Sequence, residues 1–91
     1  MSVTVRIPTP LRALTGQQDV VQADGETLLS LVQNLEAEFP GMGERIVDED
    51  GEIRRFVNLF VNGEDVRFLD GLATALGQGD EVSIVPAVAG G

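Results

Sequence analysis

One stretch of the chain carries a long helical period: Leu28, Leu31, Val32, Leu35 and Phe39 fall at i, i+3, i+4, i+7 and i+11, with Gln33, Asn34, Glu36 and Glu38 on the other side. Thr27 stands where an N-cap can accept from the first-turn N–H groups. Pro40-Gly41 stops the helix, because proline lacks an N–H donor and disfavours helical geometry in the residue before it. A helix of about three turns covers one face of a sheet and no more. The other apolar residues must therefore build that sheet. With 91 residues there is material for one modest core, since a chain of this size buries roughly 60–65% of its unfolded surface.

The flanks of the helix read as strands. Val3, Val5 and Ile7 alternate with Thr4 and Arg6 until Pro8 and Pro10 close the run, the period of a half-buried strand over 2–7. Val20, Val21 and Ala23 form a second β-prone run ending at Asp24-Gly25, and the two are expected to pair as a hairpin with a long loop. Residues 55–61 read Arg-Phe-Val-Asn-Leu-Phe-Val, apolar on both parities as a central strand requires. Asn62-Gly63 suits the positive φ pair of a type I′ turn, leading into a short strand over 65–68. After the glycine-rich stretch 71–80 comes the last strand, Glu81–Pro86, with Val82 and Ile84 on one side and Val85 on the other. The order β-β-α-β-β-β predicts an α+β chain, a mixed sheet of four or five strands with one main helix on one face. That is the β-grasp, or ubiquitin-like, architecture. The expected division is a domain over 1–85 and a flexible C-terminal tail over 86–91.

What the chain lacks narrows its chemistry. It has no Cys, His, Lys, Tyr or Trp. It therefore has no imidazole base, thiol nucleophile, disulfide or zinc site of the usual N/S kind, no Schiff-base lysine and no phosphate-loop lysine. Six arginines stand against fifteen carboxylates, for a net charge of −9. A field of that sign repels nucleic acid and favours a basic protein partner. No run approaches the ~18 apolar residues of a membrane span, and the N-terminus has no signal-peptide pattern, so no membrane partner is expected and the expected location is the cytoplasm. The acidic turn Asp48-Glu49-Asp50-Gly51-Glu52 lacks the full calcium-loop pattern, Gly77-Gln78-Gly79 has no third glycine for a dinucleotide fingerprint, and a glycosidase-like carboxylate pair would have little room for a cleft. No metal and no bound cofactor is expected.

The chain ends Val85-Pro86-Ala87-Val88-Ala89-Gly90-Gly91. Six extended residues from Pro86 reach about 20 Å, and glycine has no side chain to obstruct a narrow tunnel in another protein. Such a tail can deliver its own carboxylate, at Gly91. A carboxylate is ionised at neutral pH and is a poor electrophile, so a partner has to activate it, most simply as an acyl-adenylate with ATP and Mg²⁺. The plainer alternative is a terminus without a chemical task.

Several short motifs join the tail: Leu-Arg-Ala-Leu-Thr-Gly at 11–16, Thr27-Leu28-x-x-Leu31, Val61-Asn62-Gly63, Gly79-Asp80-Glu81-Val82 and Pro-Ala-Val-Ala-Gly-Gly at 86–91. Together they resemble the MoaD/ThiS-type sulfur carriers over essentially the whole chain. The stretch Arg-Phe-Val-Asn-Leu-Phe-Val-Asn-Gly-Glu-Asp-Val-Arg-Phe at 55–68, followed by Gly71-Leu72-Ala73-Thr74-Ala75, is most similar to the CysO branch, carriers that deliver sulfur for cysteine biosynthesis. The resemblance implies that an E1-like (MoeB/ThiF-type) enzyme adenylates Gly91 and that a sulfur source converts it to a thiocarboxylate. It further implies transfer to O-phosphoserine on a pyridoxal-phosphate-dependent cysteine synthase and release of cysteine by a metal-dependent peptidase. The chain would then be a recycled co-substrate, not an enzyme. Rival readings are the small subunit of molybdopterin synthase, a ubiquitin-like modifier joined to lysines, and a non-reactive adaptor.

Partner contact is expected from Gly90, Ala89, Val88, Ala87 and Pro86 of the tail, and from an apolar patch of Val85, Leu59 and Val66 on the sheet face away from the helix. Arg12, in the Leu-Arg segment, is expected to meet an acidic site on the activating enzyme. The plain alternatives are ordinary packing for the patch residues and a solvated arginine.

Overall fold

A computed structural model describes residues 2–86. The alternating valines near the N-terminus form β1 (Ser2–Arg6), which pairs antiparallel with β2 (Val20–Asp24). The long connection between them contains a 3₁₀ segment, Thr9–Thr15. Helix α1 (Leu28–Glu38) begins at Thr27, whose side chain accepts from the Ser30 N–H at 3.3 Å, while Ser30 Oγ accepts from the Thr27 N–H at 3.0 Å. This reciprocal box uses a serine at a position where glutamate or glutamine is usual. The helix buries Leu28, Leu31, Val32 and Leu35, the stripe expected from its period.

A second, short helix, α2 (Met42–Ile46), follows at once and was not expected. Its N-cap is Gly41 with φ 99°, and no side-chain cap acts locally. The orphan N–H groups of Gly41 and Gly43 donate instead to the carboxylate of Glu36, back on α1, at 2.9–3.2 Å. Met42 and Ile46 are fully buried.

The strand expected over 55–61 is shorter. A turn closed by the Val57 N–H on the Arg54 carbonyl leaves Arg55 and Phe56 exposed, and β3 covers Val57–Val61. Asn62 and Gly63, with φ 52° and 87°, make the primed turn that their sequence requires. The next strand is only β4 (Glu64–Asp65). Asp65 then accepts from the Arg67 N–H at 2.9 Å and starts a 3₁₀ turn, Val66–Phe68, that carries Val66 into the core. A second 3₁₀ turn, Gly71–Ala73, precedes β5 (Glu81–Pro86).

The sheet order is β2-β1-β5-β3-β4. The centre is thus β5, parallel to β1 and antiparallel to β3. The strand expected to be central lies one place out: β4 pairs with only Phe60 and Val61, so β3 is flanked along its whole length on one side. Val3, Val5, Val21, Ala23, Leu59, Val61, Val82 and Ile84 form the sheet side of one buried cluster, closed by α1 and α2. The other sheet face is left uncovered by these helices. No helix of the described residues is long and apolar enough to cross a membrane.

Candidate functional site

The C-terminal segment follows directly on the central strand of the sheet. β5 is paired on both edges, and its entry is clamped. Asp80 accepts from the Gly77 N–H (2.8 Å) and from Asn62 Nδ2 (3.1 Å), while Asn62 Oδ1 accepts from the Glu81 N–H (3.0 Å). The Gly77 N–H first, and then the Asn62 amide, hold the Asp80 carboxyl below the usual carboxylate range. The primed turn and the start of β5 are therefore one hydrogen-bonded unit. At the other end Pro86 pairs with Val57 and is half-buried, so the last strand ends at the residue where the sequence places its end. A proline has no N–H with which to extend the ladder. Ala87, Val88, Ala89, Gly90 and Gly91, where the reactive group is expected, lie outside the described residues.

Beside this foot, alternation turns Val85 outward at 42% exposure. The register sets Asn58 opposite Val85 and Phe60 opposite Ser83, so the open-face neighbours of Val85 are Asn58 and, diagonally, Phe60. Leu59 was expected in this patch but is 1% exposed, because its parity turns it toward α1. Val66 is 0% exposed, since the 3₁₀ turn replaces the expected strand and folds it inward. Neither can touch a partner. Phe60, which replaces them, was missed because strand register links residues distant in sequence and is not written in any local pattern.

Charge pairs border the patch. Arg6 Nε lies 3.0 Å from Glu81 Oε1, and Arg67 Nη2 donates to Asp65 Oδ2 (2.8 Å) and to Asn58 Oδ1 (2.8 Å). The hydrogen bonds from Arg67 lower the Asp65 carboxyl, and those to Glu81 and Asp65 raise the Arg6 and Arg67 guanidinium groups. Arg12 is half-buried, and its Nε donates to the Ile7 carbonyl at 3.1 Å. Part of that guanidinium thus ties the 3₁₀ segment to the end of β1. Among the described residues no group of three or more acidic side chains is placed to hold a metal ion; Asp48 instead accepts from the N–H groups of Asp50 and Glu52 and closes its own turn.

What fold and site define is a β-grasp protein whose central strand runs out into a small-residue segment beside an open sheet face. The chain belongs to the ThiS family, whose model matches residues 5–91. It is 55% identical to the sulfur carrier protein CysO of Mycobacterium tuberculosis in an alignment of 93 residues that covers all of both chains. It is 41% identical, again with both chains fully covered, to small archaeal modifier protein 3 of Haloferax volcanii. The fold superposes with a TM-score of 0.92 on a chain of the Amycolatopsis orientalis BexX/CysO complex, at 46% identity, with 98% of this chain and 99% of that one covered.

Proposed function

We propose that this chain is a sulfur carrier of cysteine biosynthesis, with the carboxylate of Gly91 as its reactive group. The observation that carries the reading is the end-to-end match to a curated sulfur carrier at 55% identity; the doubly paired β5 that ends in the tail supports it. The chain is a co-substrate in the cytoplasm. An E1-like (MoeB/ThiF-type) enzyme supplies ATP and Mg²⁺. The Gly91 carboxylate attacks the α-phosphate, pyrophosphate leaves, and a mixed anhydride with AMP forms. A sulfur nucleophile then displaces AMP and leaves a thiocarboxylate. On a pyridoxal-phosphate-dependent cysteine synthase the thiocarboxylate sulfur takes the place of the phosphate of O-phosphoserine, acyl transfer from sulfur to the amine leaves cysteine joined to Gly91, and a metal-dependent peptidase hydrolyses that amide to free cysteine and restore the diglycine end.

The absence of cysteine makes the test direct. The protein is incubated with its host's activating enzyme, ATP, Mg²⁺ and sulfide, treated with a thiol-alkylating reagent, and digested for mass analysis. An alkyl label on the C-terminal peptide is the expected result. An adenylate at Gly91 without any label would overturn the carrier reading and favour a ubiquitin-like modifier, a second reading that the 41% identity to the Haloferax modifier supports. In that case conjugates stable to thiols should accumulate in host lysate.

A further inference from the structure

Resting on the carrier reading, we propose that a cleft at the foot of β5 receives a carboxylate side chain from the enzyme that takes up the tail, with Arg45 and Arg54 as its ligands. The cleft measures about 470 Å³ and is floored by Leu11, Val57, Ile84 and Pro86, with Arg45 and Arg54 also in its wall. Pro86 is the residue from which the segment 87–91 departs. The cleft therefore lies at the foot of the segment that such an enzyme takes up.

Charge says what the enzyme should bring there. The protein carries −9 overall, and only six residues are cationic. Arg6 and Arg67 are held in ion pairs with Glu81 and Asp65. Arg45 and Arg54 form no ion pair among the described residues, although Glu44 also lines the cleft. Arg54 is positioned by its Nε, which donates to the Glu44 carbonyl at 2.5 Å, and this leaves its Nη groups unused. The Arg45 side chain makes no hydrogen bond among the described residues and is exposed on the last turn of α2. Two arginines free of ion pairs among the described residues thus line one cleft of a negative molecule. A fork-shaped donor suits a planar carboxylate, and the apolar floor accommodates the methylene groups of an Asp or Glu side chain. A partner surface that is basic elsewhere, as the −9 field favours, would be repelled here unless it carried an acid. The cleft therefore fixes orientation as well as affinity.

The test measures ATP-dependent adenylation of the full chain by the host's activating enzyme, read as pyrophosphate release. Arg45→Glu and the Arg45→Ala/Arg54→Ala pair should raise KM about 10-fold or more with kcat unchanged, within the range seen for interfacial charge pairs. Arg54→Lys should fall between wild type and the pair. Arg55→Glu makes the same net-charge change as Arg45→Glu outside the cleft, where Arg55 lies over the Phe56 ring, and should leave KM within about twofold. An Asp or Glu to Arg scan of the enzyme's tunnel mouth should return one variant that rescues Arg45→Glu. Because Arg45 is exposed and unbonded, its variants should melt as wild type does, which keeps the result interpretable if Arg54 variants fold poorly. A KM for Arg45→Glu no different from that for Arg55→Glu overturns the inference and leaves the carrier reading standing. No adenylation of wild type, by an enzyme active on another carrier, overturns both.

Discussion

At the scale of single residues, the least replaceable positions are those where backbone meets backbone. Gly25 was readable as half of an Asp-Gly turn, yet its φ is unremarkable for any residue and the constraint is space. A Cβ there would lie 2.7 Å from both Cα and N of Leu31, inside α1. Gly25→Ala must push the helix off the sheet and should lower stability by about 1–3 kcal/mol, as overpacking does; urea unfolding with m unchanged checks this, and a loss below about 0.5 kcal/mol would contradict it. Asp80 acts through charge. Its carboxyl is lowered in the folded state by the Gly77 N–H and the Asn62 amide, so its contribution is present above the unfolded value near 3.9 and fades as pH falls through the lower folded value. Asp80→Asn should therefore melt below wild type at pH 7, with the gap narrowing in acid below about pH 4. A gap independent of pH would assign the effect to geometry alone. Leu59 shows the limit of residue-level reading: its hydrophobicity was plain, but the face it occupies depends on pairing with Ile84, 25 positions away.

Among the elements, those with a cause inside their own residues were legible. β1, β2, α1, the Asn-Gly turn and β5 each have a period or a turn dipeptide, and each stands where the sequence put it, to within a residue or two. The N-terminus of α1 was read from Thr27 alone, while its partner Ser30 escaped notice because serine is not the usual third residue of the box. Thr27→Ala should cost about 1 kcal/mol, measured by denaturant unfolding, and Thr27→Ser should restore most of it. Equal losses from Ala and Ser would point to the Thr27 methyl packing instead of its cap. α2 and the truncated β4 were illegible for a shared reason: their causes lie elsewhere. α2 is capped by Glu36 from another helix, and β4 stops because Asp65 turns its carboxylate back on the next residues. The charge at the foot of β5 was equally hidden, since Arg45 of α2, Arg54 of the following loop and Pro86 of β5 come to line one cleft only once the chain is folded.

For the whole molecule, the fold separates stability from chemistry. Among the described residues the buried cluster runs from Val3 to Ile84, and the central strand that precedes residues 87–91 is held on both edges. The proposed reactive end thus follows a strand that is already held on both edges. Removing residues 87–91 should leave the melting temperature within about 2 °C of wild type, given that 1 kcal/mol moves a domain of this size by roughly 4–8 °C. The same truncation should abolish adenylation altogether, because the acyl group that the enzyme activates has gone. Differential scanning calorimetry and pyrophosphate release on one preparation measure the two effects together. A shift of several degrees would show that 87–91 packs on the core, and tail withdrawal would then become a step in binding each partner. With no such shift, the carrier meets each of its enzymes as a rigid foot bearing an extended end, and the difference between partners must be read from the open face and the cleft beside Pro86.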